Sequence, residues 1–130
     1  MFRPVHGVLL DALLSSPQGS SINALANRVR GKVARSIVLR EVKKLVEMGL
    51  VEISEDSKHK QRKIILPNED LVHLSNELIE IRCDRDALTG IGRMLSLLKN
   101  AKRSYSNEHL IDYLKYRIKE EFSAILEVIE

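Results

Sequence analysis

Two clusters of basic side chains lie close together in the middle of the chain, one with helical spacing and one in a turn-like segment. Their members are Arg35, Arg40 and Lys43 in the first cluster, and Lys58, Lys60, Arg62 and Lys63 in the second. Cationic side chains that neutralise phosphates release the counterions condensed around a nucleic acid. We therefore expect both clusters to face the same polyanion.

The distribution of charge supports this expectation. The 130 residues carry a net charge of +3, but residues 28–63 alone hold 11 Lys and Arg against 5 Asp and Glu, so the remainder is slightly acidic. Aromatic residues make up only 4% of the chain, with no Trp, which argues against a base-stacking platform.

The sequence also indicates the cellular compartment of the protein. A single cysteine, Cys83, excludes an intramolecular disulfide and favours a reducing environment. Asp11 interrupts the apolar N-terminal stretch that a secretory signal would need, and no apolar run is long enough to span a bilayer. We expect a cytoplasmic, nucleoid-associated protein with no membrane partner.

Three helices are predicted before the basic turn. The first runs from about Pro4 to Ser15, the second starts with Ser20 or Ser21 as its N-cap, and the third covers about residues 33–48. Only the four residues VRGK separate the second periodic stretch from the third. So short a connection requires a sharp turn, as in a helix-turn-helix.

The third helix is predicted to have two different faces. At about 100° per residue, its apolar residues fall within about 80° of arc and predict a buried face. These residues are Ala34, Val38, Val42 and Leu45. The opposite arc is basic and polar and holds Lys32, Ser36, Leu39, Arg40 and Lys43.

The region after the third helix changes to a β pattern. Gly49 fits a left-handed helix C-cap, followed by the apolar Leu50. The runs LVEISE and RKIIL predict a hairpin with the basic segment 56–63 at its tip. From Glu69 the pattern is helical, with a kink or a break at RCDRD, and a last helix starts at Asn107.

This order of elements predicts a mainly α fold with a minor β part. Residues 1–68 would form a winged helix-turn-helix domain with a two-stranded wing, and residues 69–130 a helical dimerisation region.

The stretch LANRVRGKVARSIVLREVKKLVEMGLV resembles the MarR-type winged-helix regulators, and the small archaeal Lrs-like regulators look equally similar. The matching residues are Leu25, Ala26, Ser36, Val38, Val42, Leu45, Gly49, Leu50 and Val51. The resemblance covers residues 5–67 and implies a DNA-binding regulator. Two features depart from the MarR pattern: a slightly longer turn between the helices, and a wing, DSKHKQRK, without the Asp-Arg-Arg pattern.

We therefore predict a homodimeric protein that binds double-stranded DNA, with helix 33–48 in the major groove and the wing 56–63 on the flank. Ser36 and Arg40 are candidates for base edges, and Leu39 for thymine methyl groups. The candidates for phosphate or minor-groove contacts are Lys32, Arg35 and Lys43 on the helix and Lys58, His59, Lys60 and Arg62 on the wing. The alternatives are a winged-helix module for protein–protein interaction and a non-specific nucleoid-associated protein.

The apolar stripes of the C-terminal helices predict the homodimer, because a thin helical layer buries both stripes more easily with a second chain. The dimerisation candidates are Leu74, Leu78, Ile81, Leu88, Leu95, Leu114, Ile118, Phe122 and Ile125. An intramolecular helical hairpin is the alternative.

The sequence predicts no enzyme, no cofactor and no metal site. The histidines are scattered, and the pair His73 and Glu77 lacks a third metal ligand. No Gly-rich phosphate loop or nucleophile elbow occurs. Cys83 precedes Asp84, whose carboxylate disfavours a thiolate, so we expect the cysteine to be inert.

Overall fold

The computed structural model describes residues 1–55, 62–82 and 86–129. The elements in this part are α1 (Pro4–Leu14), β1 (Ser20–Ser21), α2 (Ile22–Arg28), α3 (Arg35–Glu47), β2 (Val51–Glu55), β3 (Lys63–Pro67), α4 (Glu69–Arg82), α5 (Ala87–Ser104) and α6 (Glu108–Ile129). The chain divides into two compact units, Met1–Val72 and His73–Glu130. The division into domains after residue 68 stays a prediction.

The sheet of the first unit has three antiparallel strands in the order β1-β3-β2. Val51 lies opposite Pro67 and Glu55 opposite Lys63, so β2 and β3 form the predicted hairpin. On the other edge of β3, Ser20 lies opposite Ile65. The prediction of two strands was therefore incomplete, because a strand of two serines is too short to show an alternating pattern.

The core of the first unit is built from the apolar faces of its helices and the inner face of the sheet. Its fully buried side chains include Leu9, Leu10, Leu13, Leu25, Val38, Val42, Leu45, Leu50 and Ile65. Burying each large aliphatic side chain contributes about 1.5–3 kcal/mol, so these contacts fix how α3 lies on α1 and α2. Ala34 was wrongly placed in this core. It is the exposed N-cap of α3, which starts at Arg35 rather than at residue 33.

The end of α3 fixes where the sheet begins. Gly49 has a φ of 75°, its N–H donates to Val46 O (3.0 Å), and the N–H of Leu50 donates to Leu45 O (3.1 Å). This pair of bonds defines a Schellman motif, in which glycine avoids the strain of the left-handed conformation. The prediction of a glycine C-cap is confirmed, and β2 starts two residues later at Val51.

The first turn of α4 is tied to the same glycine. The side-chain amide of Asn68 donates to Gly49 O (3.0 Å), and its Oδ1 accepts from the N–H of Asp70 (2.7 Å). Asn68 is thus the predicted helix N-cap.

The second unit is helical. The interruption at RCDRD separates two helices, since α4 ends at Arg82 and α5 begins at Ala87. Arg117 donates to the hydroxyl of the buried Tyr113 (3.0 Å), and Arg117 and Arg82 lie 3.9 and 3.8 Å from Glu121 Oε1. Cys83 lies outside the described residues. Among the residues that the structure describes, no helix has the length and apolar character required to cross a membrane.

Candidate nucleic-acid interface

The two faces of α3 differ as the helical spacing predicts. Val38, Val42 and Leu45 are fully buried. On the other side the helix exposes Ser36, Leu39, Arg40 and Lys43, with 64% of the Arg40 side chain accessible to solvent. A rigid core therefore holds a polar, cationic helix face outward.

The cations of this face are not equivalent. An Nη atom of Arg35 donates to the side-chain oxygen of Asn23 on α2, so Arg35 is held toward the neighbouring helix. Lys32 was predicted to lie on the helix, but it lies in the turn before α3, because the helix starts only at Arg35. Lys32 and Lys43 are both exposed and form no ion pair with any other residue that the structure describes. These two lysines are therefore accessible to an anionic partner.

The wing is described only at its base. Arg62 and Lys63 are exposed where β3 begins. Glu55 lies opposite Lys63, an opposite-charge cross-strand pair that favours this register. Lys58, His59 and Lys60, the predicted tip residues, lie outside the described residues. The contacts predicted for them stay predictions.

A groove of about 410 Å³ lies beside the start of α3. It is lined by Ala26, Asn27, Arg30, Gly31, Val33, Ala34 and Arg35. Arg30 was missing from the predicted site. Arg30 lies next to Gly31 in the short turn before α3, and this position in the sequence could have indicated that it belongs to the site.

A buried carboxylate lies directly beneath the exposed face of α3. Glu41 is 1% exposed, and its Oε2 lies 2.8 Å from Nε2 of the equally buried His6 on α1. Its Oε1 accepts from the guanidinium of Arg3 (2.5 Å) and lies 3.4 Å from Lys44 Nζ and 3.6 Å from Arg40 Nε. One carboxylate therefore links α1, the residues before it, and α3.

The hydrogen bonds define the tautomer of His6. Its Nδ1 accepts from the backbone N–H of Arg3 (2.9 Å), so the ring proton lies on Nε2 and is donated to Glu41. Burial lowers the pKa of His6 below its ordinary 6.5, although the hydrogen bond and the charge of Glu41 act in the opposite direction. Burial alone would raise the pKa of Glu41, but hydrogen bonds from Arg3, His6 and Lys44 outweigh it and lower the pKa to about 2.

The pair of Glu41 and His6 was not predicted from the sequence, although the sequence contains a signal for it. Glu41 lies three residues after Val38 and four before Leu45, in the middle of the buried stripe of α3. His6 lies three residues before Leu9 and four before Leu10, on the buried stripe of α1. A titratable residue inside each of two apolar stripes indicates that the two are partners, because buried polar groups require hydrogen bonds.

The lowered pKa values predict that stability falls on acidification. Where the folded pKa lies below the unfolded one, the unfolded chain binds more protons as the pH drops. The contribution of His6 to the free energy of unfolding is complete above pH 6.5 and declines below it. The contribution of Glu41 declines from about pH 4.5 towards pH 2. Urea unfolding should therefore give a free energy of unfolding that is lower at pH 5.5 than at pH 7.5 by up to about 1.4 kcal/mol, which is the value of one proton over one pH unit.

A His6→Gln variant should lose most of this pH dependence, since glutamine does not titrate. His73→Gln is the matched control, because His73 is 62% exposed and faces Glu77 on the surface. If His6→Gln kept the pH dependence of the wild type, another group would be responsible for it.

The predicted dimerisation residues fall into three groups by their exposure. Leu74, Leu78, Ile81, Leu114 and Ile118 are already buried within one chain, while Phe122 and Ile125 are half-buried. Leu88 and Leu95 are exposed, by 80% and 50%, as is Leu126, by 63%. The apolar surface that the second unit leaves available is therefore different from the predicted set: it includes Leu88 and Leu95 on α5, Leu126 on α6, and also Ile79 on α4, which is 46% exposed.

The described residues offer little for metal chemistry. His73 Nε2 lies 3.0 Å from Glu77 Oε1, but no group of three metal-ligating side chains occurs in the described part of the chain. A second groove, of about 430 Å³, lies beside Gly49 and Asn68 and is lined in part by Glu52, Glu69 and Asp70. Its acidic lining makes it unsuited to a phosphate.

Helix, strand, two helices and a hairpin in this order define a winged helix-turn-helix. Among solved structures, the chain is similar to a mutant of ZitR from Lactococcus lactis, with a TM-score of 0.50 and 19% sequence identity, over 99% of this chain and 76% of that one. The fold predicted from the sequence is thereby confirmed.

Two further structures match less closely. A mutant of MepR from S. aureus has a TM-score of 0.49 and 14% identity, over 97% of this chain and 78% of that one. The PcaV transcriptional regulator from Streptomyces coelicolor, in complex with its natural ligand, has a TM-score of 0.49 and 13% sequence identity. The match covers 99% of this chain and 77% of that one. ZitR, matched at a TM-score of 0.50, is a MarR-family winged-helix regulator, and this match confirms the predicted resemblance at the level of the fold. No family model and no curated protein matches the sequence.

Proposed function

We propose that this protein is a transcription regulator that binds double-stranded DNA as a homodimer. The observation that carries the proposal is the exposed, cationic face of α3, held outward by a buried apolar face on a winged-helix fold. In this proposal α3 enters the major groove, and the basic segment 56–63 contacts the flanking backbone or minor groove.

The dimensions and chemistry of α3 suit this role. An α-helix fits the major groove, where each base pair presents its own pattern of donors and acceptors. Arg40 can donate two hydrogen bonds to guanine O6 and N7, and Ser36 can reach either kind of base edge. Leu39, 46% exposed, can contact a thymine methyl group. Lys43 on this face and Lys32, in the turn before α3, would contact phosphates.

The exposed leucines of the second unit support the homodimer. Leu88 and Leu95 are seven residues apart on α5 and therefore share one face of that helix. A second copy that covers them would present a second α3 to the duplex, so that the two-fold symmetry of the protein would match a pseudo-palindromic site.

DNA binding and the role of Lys43 can be tested together with a labelled random-sequence duplex. We expect the logarithm of the affinity to fall linearly with the logarithm of the salt concentration, because bound cations are released. Lys43→Ala should weaken binding to all DNA sequences alike and reduce the slope of log affinity against log salt concentration by about 1. Lys115→Ala is the matched control: it removes the same exposed charge from α6. The absence of binding even at low salt would contradict the proposal.

One observation favours a second candidate, a winged-helix module for protein–protein interaction. Leu39 and Val46 are seven residues apart on α3 and are 46% and 38% exposed, so the outward face has an apolar component. A partner protein could cover it. Failure to bind both heparin and random duplex at low salt would favour this candidate over DNA binding.

A further inference from the structure

Two arginines approach the same oxygen of one buried carboxylate. Oε1 of Glu41 lies 2.5 Å from Arg3 Nη2 and 3.6 Å from Arg40 Nε, and only the first distance is that of a strong charge-assisted hydrogen bond. Arg3 approaches from the segment before α1, while Arg40 lies on the outward face of α3. The guanidinium that satisfies Glu41 is therefore that of Arg3, and Arg40 stays 64% exposed.

The carboxylate has a strong requirement for a cation. Glu41 is 1% exposed with its partners in place, so the loss of one of them leaves its charge poorly compensated. A buried charge without a partner is costly, so removal of Arg3 would draw in another cation. The remaining cations near Oε1 in the described part of the chain are Lys44 (3.4 Å) and Arg40 (3.6 Å).

We propose that Arg3 is a positioning residue for DNA recognition, because it occupies Glu41 Oε1 and so leaves the guanidinium of Arg40 free to reach the duplex. The inference rests on the proposed function, in which Arg40 contacts a base edge. Arg3 has no direct contact with DNA in this scheme. Its effect passes through the carboxylate beneath the recognition helix.

The backbone of Arg3 also helps to hold the partners of Glu41 in place. The N–H of Arg3 donates to His6 Nδ1 (2.9 Å), and Nε2 of His6 contacts the other oxygen of Glu41. Both oxygens of Glu41 thus have a partner in the N-terminal segment or α1, and Lys44 of α3 is a further donor to Oε1 (3.4 Å). Arg40 is left with only a longer contact, which a phosphate or a base can replace.

The first test needs no DNA. Arginine Nε–H signals of ¹⁵N-labelled protein report the surroundings of each guanidinium. In Arg3→Gln we expect the Arg40 Nε–H signal to shift and its exchange with water to slow, because Arg40 turns toward Glu41. Arg3→Lys should restore the wild-type signal, since lysine can supply the same charge. An Arg40 signal that is unchanged in Arg3→Gln would overturn the inference.

The second test is a double-mutant cycle on a selected DNA site, with folding checked by circular dichroism. Arg3→Gln should weaken binding about fivefold to tenfold in the wild type and less than about twofold in the Arg40→Ala background, because coupled residues are not additive. Equal effects in both backgrounds would mean that Arg3 acts through its own charge, and would overturn the inference.

A third variant separates this role from a structural one. In Arg3→Gln combined with Glu41→Gln, no buried carboxylate competes for Arg40, so DNA affinity and base preference should return close to those of the wild type. The results also separate failure of the proposed function from failure of this inference. If DNA binding is absent at low salt while the Arg40 signal responds to Arg3→Gln, the proposed function fails, and the role of Arg3 in DNA recognition fails with it. If DNA binds but the cycle is additive, only the inference fails.

Discussion

Replacement of Arg40 by alanine is expected to weaken binding to a selected DNA site by about 1–3 kcal/mol and to relax the preference at one base pair. Arg40 lies near the centre of the exposed face of α3, and its side chain is 64% exposed although Glu41 lies next to it. A bidentate contact with guanine would depend on this one guanidinium. Gel shifts with the selected site and with single-base variants measure both effects.

The matched control for this prediction is Arg103→Ala. Arg103 is exposed on α5 and carries the same charge in the second unit, so its removal should change neither affinity nor base preference by much. If Arg40→Ala left both affinity and preference intact, α3 would not be the recognition helix.

The second large effect is expected from Leu95→Glu. Leu95 is 50% exposed in one chain, and a carboxylate placed in an apolar dimer contact would lose its hydration without a partner. We expect the protein to sediment as a monomer and to lose about 100-fold or more in affinity for a two-half-site duplex, because the second binding event is no longer intramolecular. Binding to a single half-site should change little.

Asn100→Glu provides the comparison for Leu95→Glu. Asn100 is exposed on α5, about 140° around the helix from Leu95, so the same charge is added away from the apolar stripe. It should remain a dimer. A Leu95→Glu variant that still sedimented as a dimer would exclude this face of α5 from the interface.

The position of α3 could be predicted from sequence because several local signals agree there. An apolar stripe of helical period ends at Met48-Gly49-Leu50, and the observed Schellman motif uses these residues. The prediction of the hairpin was equally direct, because β2 and β3 each carry enough β-forming residues for the pattern to appear.

Other features depend on tertiary contacts that a local pattern does not contain. β1 consists of two serines, and only its pairing with β3 makes it a strand. Glu41 and His6 interrupt apolar stripes that are 35 residues apart in sequence, and their partnership becomes visible only when α1 packs on α3. Ala34 fits the period of the buried face, but the helix begins one residue later and leaves it exposed.

The apolar stripes of the C-terminal helices show a further limit of sequence patterns. Periodicity indicates that a face is covered, but not whether the covering surface belongs to the same chain or to a second one. Leu78 and Leu114 are almost fully buried within a single chain, whereas Leu88, on an equally regular stripe, is 80% exposed. Only the exposed members are available to a partner, and these carry the dimer proposal.

The central claim is that the outward face of α3 and the basic wing face one DNA duplex. Backbone amide signals of the ¹⁵N-labelled protein, recorded during titration with a duplex at low salt, test it most directly. We predict that the largest changes fall in residues 32–43 and 56–63, and that they reverse when salt is added. Changes confined to α5 and α6, or no changes at low salt, would contradict the account.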